Sequence, residues 1–481
     1  MQNHQIPRLW FDRNFAMSAL NDCTVDCDCD CACPAPTFWA SRPVLVDDRI
    51  YQQAAFQAQA VGDGLFGLMG ADCYYVVANQ SVLDFLDDFK NPLSAVSVVN
   101  TYQNSWGKDR VATLFQDLTC LGYLRPLEKA SNENYPARQL TAWIQVTDRC
   151  NLHCQYCYIQ KRNQNLDVSV GKEIIDSLLR SARAHGIERL KLKYAGGEPL
   201  LNFPTLRDVH QYALQESDRQ GILVEGIVLS NGTKISTTVL QQLQALNLHL
   251  MISLDTLAQS ADVRGASYQA QRAIELAIQN NLIPTVSVTI SQATLKTLPF
   301  LMEWLVDRNI RISLNFYRPH AAMHQPDELT LIPNELIDAM LAAYNVIALH
   351  QPRQSWLNGL LDRVNLTGAR NVPCGVGQDY LVFDTDGNAS KCHMLMSEKV
   401  TNCRVPDVLA IVQSDKLGIQ NPPVIQKTDC KDCRWSMWCG GCCPTLARGT
   451  GGKSPFCSVY QALFPRLIEL EATRLVGQEI Y

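Results

Sequence analysis

Three features are missing from this sequence of 481 residues. No apolar run is long enough to cross a bilayer, and the opening residues lack the basic and apolar regions of a secretion signal. Basic residues are not in excess either, since 42 Lys and Arg stand against 47 Asp and Glu, a net charge of −5. These absences predict a cytoplasmic protein that binds neither a membrane nor nucleic acid.

Cysteine, in contrast, is abundant, with 19 residues in the chain. In a chain without a secretion signal, this density indicates metal or redox chemistry rather than disulfides. Almost all the cysteines fall into three clusters, at 23–33, 150–157 and 374–457. We therefore expect cysteine-ligated metal sites.

Composition and periodicity divide the chain into five regions. Residues 1–41 have no helical or strand period and are expected to be a disordered, cysteine-rich tail. Residues 42–128 show strand patterns, three helices and a return strand, which suits a winged-helix unit. Residues 139–325 alternate strands and helices, 326–369 form bridging helices, and 370–481 are a cysteine- and glycine-rich region with a closing helix.

The alternating region determines the predicted fold class. Its strands are expected at 141–146, 189–195, 225–230, 248–254, 285–290 and 310–316. Strands separated by amphipathic helices predict an α/β fold with a parallel sheet, here curled into a partial (β/α)6 TIM-like barrel. The reactive groups of such a barrel lie at the carboxyl ends of its strands.

Cys150, Cys154 and Cys157 follow the first of these strands. Three thiolates on one loop suit three irons of a [4Fe–4S] cube and leave the fourth iron open. A zinc site with His153 as its fourth ligand is the alternative. The spacing CxxxCxxC on this loop resembles the signature of the radical S-adenosylmethionine (SAM) superfamily. The resemblance implies that the three cysteines hold the cluster that reduces SAM to a 5′-deoxyadenosyl radical.

Short polar motifs end the next three strands, beginning with Gly196-Gly197-Glu198. Glycines allow close backbone approach to a ligand, and a carboxylate accepts hydrogen bonds from an ammonium. Each motif alone is also an ordinary turn, and an arginine such as Arg264 is often a surface residue. Because they follow CxxxCxxC in the chain, these motifs resemble superfamily positions that contact SAM. The superfamily often has glycine at the position after Asp255, where this chain has Thr256. The resemblance implies these SAM contacts: Tyr156, Gly196, Gly197, Glu198, Ser230, Asn231, Ser253, Asp255 and Arg264.

The C-terminal cysteines have the most specific spacing in the chain. Their pattern resembles the seven-cysteine SPASM domain of radical SAM peptide-modifying enzymes, whereas a pair of zinc ribbons fits only the CxxC part. The resemblance implies two auxiliary [4Fe–4S] clusters, so that three clusters are expected in all. The ligands of the first are Cys374, Cys392 and Cys443, with Cys403 a candidate for the fourth, and those of the second are Cys430, Cys433, Cys439 and Cys457. Cys442 is extra to this pattern.

The unit at 42–128 resembles the small peptide-binding chaperone of pyrroloquinoline quinone biosynthesis, also called the RiPP recognition element (RiPP: ribosomally made, post-translationally modified peptide). The resemblance implies that a leader peptide adds a strand to an exposed sheet edge, here 49–53 or 74–78. A winged helix for DNA is the alternative, but the unit has few Lys and Arg.

Together these resemblances imply an enzyme that installs a thioether, C–C or ether crosslink on a ribosomally made precursor peptide. Its expected partners are that peptide, with its leader, and an electron donor such as flavodoxin or ferredoxin. Two alternatives remain open: formylglycine formation, as in anaerobic sulfatase maturases, and a non-catalytic Fe–S electron carrier or scaffold. The tail cysteines match no cluster motif. Whether they bind a metal, form a reactive tail or have no function is left open for Cys23, Cys27, Cys29, Cys31 and Cys33.

Overall fold

The structure is a computed structural model of the whole chain. The residues it describes are 6–11, 49–70, 73–127, 139–319, 327–350, 355, 359–362, 364, 366, 370–448 and 453–477. The predicted disordered tail and the cysteines at 23–33 lie outside them, apart from residues 6–11. Among the described residues, no helix is both long enough and apolar enough to cross a membrane.

The N-terminal unit consists of two small sheets and three helices. Its strands are β1 Leu9–Trp10, β2 Ile50–Gln53, β3 Phe56–Gly62, β4 Leu65–Gly70, β5 Val76–Asn79, β6 Leu93–Ser94 and β7 Leu124–Pro126. Its helices are α1 Gln80–Asp88, α2 Ala95–Trp106 and α3 Lys108–Cys120. One sheet has the strand order β1-β5-β4-β3 and the other the order β6-β2-β7. Aromatic side chains from all three helices, including Phe85, Trp106 and Phe115, form its core.

The strand at 49–53 is not a sheet edge, contrary to one of our two expectations. It corresponds to β2, which lies between β6 and β7 and pairs antiparallel with both. The strand at 74–78 corresponds to β5, which pairs with β4 on one side and with the short β1 on the other. The hairpin β3–β4 was not expected from the sequence. Its turn places Asp63 and two glycines at positive φ, a conformation that few other residues adopt.

A nine-stranded sheet organises the rest of the chain. Its six parallel strands follow one another in chain order, and their bounds lie within two residues of those predicted. They are β8 Gln139–Thr147, β9 Arg189–Gly196, β10 Leu223–Ser230, β11 Leu248–Ser253, β12 Thr285–Ile290 and β13 Arg311–Phe316. The central parallel sheet of the predicted α/β fold is therefore confirmed. It brings the ends of β8, β9, β10 and β11 to one edge, where the candidate site lies.

Amphipathic helices connect these strands and cover the sheet. They are α4 Val168–Ala184, α5 Phe203–Gln220, α6 Thr237–Ala245, α7 Ser267–Gln279 and α8 Leu298–Asp307. Two of them begin with a side-chain cap: Asp167 accepts a hydrogen bond from the Ser169 amide at the start of α4, and Ser236 accepts one from the Val239 amide at the start of α6. Leucines and isoleucines on their inner faces form one continuous core with the sheet.

The C-terminal region extends the sheet, which the sequence did not predict. Strand β14 (Tyr380–Phe383) pairs in parallel with β8, and β15 (Asn388–Ser390) and β16 (Lys399–Asn402) continue from it as antiparallel strands. The remaining helices are α9 Pro333–His350, α10 Val408–Ser414, α11 Ser436–Cys439, α12 Pro444–Ala447 and α13 Cys457–Gly477. Short 3₁₀ helices lie at Pro199–Asn202, Gln259–Ala261, Gln292–Thr297, Asp327–Leu329, His393–Leu395 and Val424–Gln426.

The last helix joins the N-terminal unit to the rest of the protein. The Tyr75 hydroxyl, on the strand segment before β5, donates to the Ile468 carbonyl of α13 at 2.9 Å. The hairpin contacts the C-terminal region as well, since Gln57 Nε2 donates to the Arg434 carbonyl at 3.0 Å and Arg434 donates to Gln59 Oε1. The small unit therefore packs directly against the cysteine-rich region.

Candidate functional site

The loop after β8 brings three thiols together. The Cys157 amide donates to the Cys154 carbonyl at 3.1 Å, which closes a tight turn between the last two cysteines. Burial raises the pKa of the Cys150 and Cys154 thiols, and each thiol lies near enough to Cys157 for its charge to add to that rise. Such thiols ionise readily only when a cation or metal compensates their charge.

Two glycines let the end of β9 lie directly against this loop. The Gly197 amide donates to the Thr147 carbonyl and the Glu198 amide to the Arg149 carbonyl, both at 2.8 Å. Gly196 has a φ of +141°, and a Cβ at either glycine would collide with the carbonyl oxygen of Thr147 or Arg149. Any other residue in the place of Gly196 or Gly197 would push the two loops apart.

Glu198 is fully buried between the ends of β9 and β10. Its Oε1 accepts hydrogen bonds from the Leu200 amide at 3.1 Å and the Ser230 hydroxyl at 2.9 Å. Its Oε2 accepts from the Asn231 amide at 2.7 Å. Burial raises the pKa of this carboxyl, against the opposing effect of these donors and of the Arg264 charge. The carboxylate is therefore held in a fixed orientation at a buried position, where a cationic group would stabilise its charged form.

Asn231 connects Glu198 to the cysteine loop. Its Nδ2 donates to Asn151 Oδ1 at 3.0 Å and lies 3.8 Å from Cys150 Sγ. Asn151 in turn donates to the Thr233 hydroxyl at 2.7 Å. The glycine that follows, Gly232, has a φ of +82°, which allows the tight turn after β10. These contacts fix the position of the cysteine loop relative to the end of β10.

A second group of hydrogen-bonded side chains lies at the end of β11, where Asp255 is buried and Tyr156 and Arg264 are partly buried. Arg264 Nη1 donates to the Tyr156 hydroxyl at 2.7 Å, and that hydroxyl donates to Asp255 Oδ2. Asp255 Oδ1 accepts from the Thr289 amide at 2.8 Å. Burial raises the pKa values of Tyr156 and Asp255, and Arg264 opposes both shifts. Burial would lower the pKa of Arg264, but Tyr156 and Asp255 raise it well above its ordinary value.

The neighbouring positions complete this edge. Ser253 ends β11 and pairs with Ser287 of β12. Thr256, where the superfamily often has glycine, bonds through its hydroxyl to the Thr297 hydroxyl at 2.9 Å and accepts from the Ala258 amide. The threonine therefore fastens the loop after β11 to the 3₁₀ helix Gln292–Thr297.

The cysteine loop has no arrangement typical of a mononuclear metal. In the part of the chain that the structure describes, no three His, Cys, Asp or Glu side chains converge on a single ion position. A four-iron cube takes one thiolate per iron, so its ligands need not converge on one point.

Four C-terminal thiols form a second group, Cys430, Cys433, Cys439 and Cys457. Burial raises the pKa of Cys430, Cys439 and Cys457, that of Cys439 to about 11, and at least one other thiol of the group adds to each rise. The Cys433 amide donates to the Cys430 carbonyl at 3.1 Å, which closes a tight turn between these two cysteines. These four are the thiols that the sequence pattern assigns to one auxiliary cluster.

Cys374 and Cys392 belong to a separate apolar cluster with Trp143 on β8. Cys392 Sγ lies 3.9 Å from the Thr445 hydroxyl, and Thr445 follows Cys443, the third member of this predicted set, by two residues. Asn421 donates to the Cys374 carbonyl at 2.6 Å and fixes that end of the group.

Cys403 does not lie with this set, which argues against it as the fourth ligand. Its thiol lies 3.9 Å from Glu173 Oε2 on α4, and its amide donates to the Gly387 carbonyl at 2.8 Å. Burial raises its pKa, and the charges that modify the shift are Arg404, Glu173 and Arg180, with no cysteine among them. The side chain fills the space that a Cβ on Gly387 would need.

Several residues near the site were missed by the sequence analysis. Lys161 donates through Nζ to the Leu152 carbonyl in the cysteine loop. Lys191 and Lys193 are buried on β9, and their alternation with leucine was a signal that they share one face of the strand. His393 stacks on the Trp143 ring with centroids 4.6 Å apart, a contact between distant residues that no local pattern indicates.

Comparison with known proteins identifies the central part of the chain. Residues 144–295 match the family model of the Radical SAM superfamily. This stretch, which runs from β8 past the end of β12, is therefore a radical SAM domain. It contains all three cysteines of the first loop and all the predicted SAM contacts.

Relatives of known sequence cover the chain unevenly. An uncharacterised protein of Methanocaldococcus jannaschii is 27% identical over 40% of this chain and 66% of its own length. An uncharacterised protein of Archaeoglobus fulgidus is 21% identical over 72% of this chain and 85% of its own. A GTP 3′,8-cyclase of Clostridium acetobutylicum is 38% identical over 19% of this chain and 29% of that enzyme. The chain thus spans just under two thirds of the first relative and less than a third of the cyclase.

Solved structures share the fold. The structure of anSMEcpe with bound AdoMet and the peptide Cp18Cys is 17% identical, with a TM-score of 0.54, and covers 71% of this chain and 100% of that one. A second structure of anSMEcpe with bound AdoMet alone gives the same TM-score at 14% identity.

Proposed function

We propose that this protein is a radical SAM enzyme that installs a crosslink, such as a thioether, C–C or ether bond, on a ribosomally made precursor peptide. The observation that carries the proposal is the position of Glu198. It is a fully buried carboxylate, and its backbone is hydrogen bonded to the loop that bears Cys150, Cys154 and Cys157. A buried carboxylate beside three thiols suits a ligand that is positively charged at one end and is bound at a metal cluster.

The residues of this edge fit a [4Fe–4S] cluster with SAM. Burial raises the pKa of the Cys150 and Cys154 thiols, so both would ionise more readily beside the positive charge that the cluster would supply. Glu198 would accept from the SAM ammonium, and Arg264 would donate to its carboxylate. When bound, the cluster and SAM supply a 5′-deoxyadenosyl radical, which removes a hydrogen atom from the substrate.

The chain orients these groups through buried contacts. Ser230 and the Asn231 amide fix the Glu198 carboxylate, and Tyr156 with Asp255 holds the Arg264 guanidinium. Gly196, Gly197 and Ser253 line the same strand ends. Ser230, Asn231 and Asp255 are buried and Tyr156 is partly buried, so little reorganisation is needed when SAM binds.

The C-terminal thiols would hold two auxiliary clusters. Cys374, Cys392 and Cys443 form the first set, and the second set is Cys430, Cys433, Cys439 and Cys457. Such clusters supply an electron acceptor, or a position for a substrate thiolate, while the product bond closes. With only three thiols from the spacing pattern, and Cys403 placed elsewhere, the first cluster would keep one iron open to another ligand.

A peptide substrate is supported by the N-terminal unit. This unit packs against the cysteine-rich region and presents a sheet whose strand β5 takes an added strand. Strand addition is a common mode of peptide binding. The anSMEcpe fold relative holds a peptide, Cp18Cys, together with AdoMet. An electron donor such as flavodoxin or ferredoxin would complete the reaction.

Formylglycine formation is the second candidate, because the fold similarity to anSMEcpe does not distinguish the two reactions. A non-catalytic electron carrier is disfavoured, since it has no use for the buried Glu198 carboxylate and the partly buried Arg264 beside its cysteine loop. The experiment is co-expression with a short candidate precursor, followed by tandem mass spectrometry. A loss of two hydrogens, with fragmentation blocked between two residues, supports a crosslink. A product that reacts with a hydrazide probe indicates an aldehyde, and an unmodified peptide contradicts both.

A further inference from the structure

A short strand from the start of the chain occupies the edge of the N-terminal sheet. Leu9 and Trp10 of β1 pair antiparallel with Ala78 and Val77 of β5. Without β1, the outer backbone groups of β5 would form an open edge, the kind of surface to which another strand adds.

The contacts to this strand are largely made with its backbone. The Arg8 amide donates to Asn79 Oδ1 at 3.0 Å, and Asn79 Nδ2 donates to the Ile6 carbonyl at 2.8 Å. The Asn79 amide also donates to the Arg8 carbonyl at 3.1 Å. One residue therefore recognises the peptide backbone in three ways, and none of these bonds depends on the side chains of the strand.

The side chain of Asn79 binds β1 instead of capping helix α1. Asn79 is the N-cap of α1, a position where an asparagine side chain normally accepts from the first amides of the helix. Here it makes no such cap, because the side chain is turned toward β1. The residue is thus built into the edge as a backbone clamp rather than as a helix cap.

The apolar side chains of the strand pack against two different cores, with Trp10 buried and Leu9 and Phe11 partly buried. Trp10 is 7% exposed and belongs to the apolar cluster that includes Met69, Tyr75 and Val77. Leu9 and Phe11 pack on the core of the N-terminal unit instead. The edge therefore selects an extended peptide with large apolar side chains at three consecutive positions.

We propose that β5 and Asn79 form a peptide-docking edge whose resident occupant is the chain's own segment 6–11, and that an extended peptide with consecutive large apolar residues binds by displacing it. This inference rests on the proposed peptide recognition by the N-terminal unit. Because the occupant is tethered, it competes at an effective concentration on the order of a millimolar. A peptide in solution therefore meets a site that is mostly filled, and only a sequence with comparable apolar contacts enters.

The test uses a fluorescently labelled synthetic peptide of residues 4–13 and fluorescence anisotropy. The proteins are the full chain and the chain lacking residues 1–11, each checked by circular dichroism and thermal unfolding. We expect the truncated chain to bind the peptide at least about ten-fold more tightly than the full chain. A scrambled peptide of the same composition should not bind. Equal affinities of the two proteins, or no binding to a folded truncated chain, would overturn the proposal.

Two further variants keep the test decisive if the truncated chain does not fold. In the full chain, Trp10→Ala weakens only the resident strand and should open the edge to the labelled peptide. Asn79→Ser, added to Trp10→Ala, retains a helix-capping side chain but lacks the amide donor, and should reduce binding again. If Trp10→Ala gives no gain in peptide binding, the edge is not a docking site.

The binding assay needs neither iron nor SAM, so its result is separate from that of the proposed reaction. Loss of peptide binding with normal 5′-deoxyadenosine formation rejects the docking edge alone. Normal binding in a protein that never cleaves SAM rejects the proposed reaction alone.

Discussion

Arg264 Nη1 donates a hydrogen bond to the Tyr156 hydroxyl at 2.7 Å, and this bond joins the cysteine loop to the segment after β11. The two residues are 108 positions apart in the chain. The same hydroxyl donates to the buried Asp255. Tyr156 is therefore the link that orients the guanidinium proposed to bind the SAM carboxylate.

Tyr156→Phe should weaken SAM binding by about ten-fold, because Arg264 and Asp255 lose a shared partner in a buried position. Equilibrium dialysis with the reconstituted protein measures the effect. The control is Tyr212→Phe, which removes a hydroxyl bonded to Asp176 at 2.8 Å between two helices. Equal SAM affinity in both variants would show that the hydroxyl has no part in SAM binding.

Glu198→Gln should weaken SAM binding by about ten- to a hundred-fold, because the ammonium loses its charged acceptor while the shape of the side chain is kept. Glu173→Gln on α4, where the carboxylate pairs with Arg404 at the surface, is the matched control. Isothermal titration calorimetry distinguishes the two variants. An unchanged dissociation constant for Glu198→Gln would remove this residue from the site.

The same carboxyl predicts a pH dependence. Burial raises the pKa of Glu198 above its ordinary value of 4.5, so the carboxylate forms at a higher pH than an exposed one. SAM affinity should therefore rise as the pH rises through that raised value. In Glu198→Gln this part of the pH profile should be flat, and a wild-type profile that is equally flat would contradict the assignment.

The sheet could be predicted largely from the sequence, because its strands are short apolar runs rich in β-branched residues. The strand Thr285–Ile290, for example, was predicted with the bounds it has. The cysteine loop and the motif at Glu198 were also predicted to lie at strand ends, where the structure places them. The local sequence pattern was sufficient to place these motifs, because the parallel strands follow one another in chain order and their carboxyl ends therefore lie at the same edge of the sheet.

Other features depend on contacts between distant residues. Leu9 and Trp10 have no strand period of their own and form β1 only because β5 supplies the partner. Cys403 fits the cysteine-rich region by position, yet packs against Glu173, 230 residues earlier in the chain. The spacing of cysteines along the chain does not reveal whether the side chain of Cys403 points toward the other cysteines or away from them.

Lys191 gives a prediction that needs no cofactor. Burial lowers its pKa from 10.5 to about 7, with Lys193 adding to the shift and Glu225 opposing it. Between these values the unfolded chain binds more protons than the folded one, so stability rises with pH by up to about 1.4 kcal/mol per unit. The gain in folding stability is complete only above pH 10.5, the pKa of the lysine in the unfolded chain, and it is lost as the pH falls toward the folded value of about 7.

Lys191→Met should flatten this dependence, since the methionine has no proton to release. Thermal midpoints of the apo protein between about pH 7.5 and 9.5 measure the difference. Lys90→Met is the control, because Lys90 forms only an exposed pair with Asp87. Parallel curves for wild type and Lys191→Met would mean that the ammonium is not buried.

Iron content tests the auxiliary sites. The anaerobically reconstituted chain should hold about twelve irons, and Cys430→Ala should lose about four of them. Cys442→Ala is the matched control, because the Cys442 thiol donates to the Cys443 carbonyl at 3.3 Å and is extra to the spacing pattern. Cys403→Ala should also keep its iron. Wild-type iron near four per chain would contradict the auxiliary clusters.

The most direct test of the central claim is the formation of 5′-deoxyadenosine from SAM and a reductant under anaerobic conditions. Liquid chromatography of the reconstituted wild-type protein should show this product. Cys157→Ala should show none, while it keeps the iron of the auxiliary sites. If Cys157→Ala forms as much 5′-deoxyadenosine as the wild type, or if the fully loaded wild type forms none, the protein is not the radical SAM enzyme proposed here.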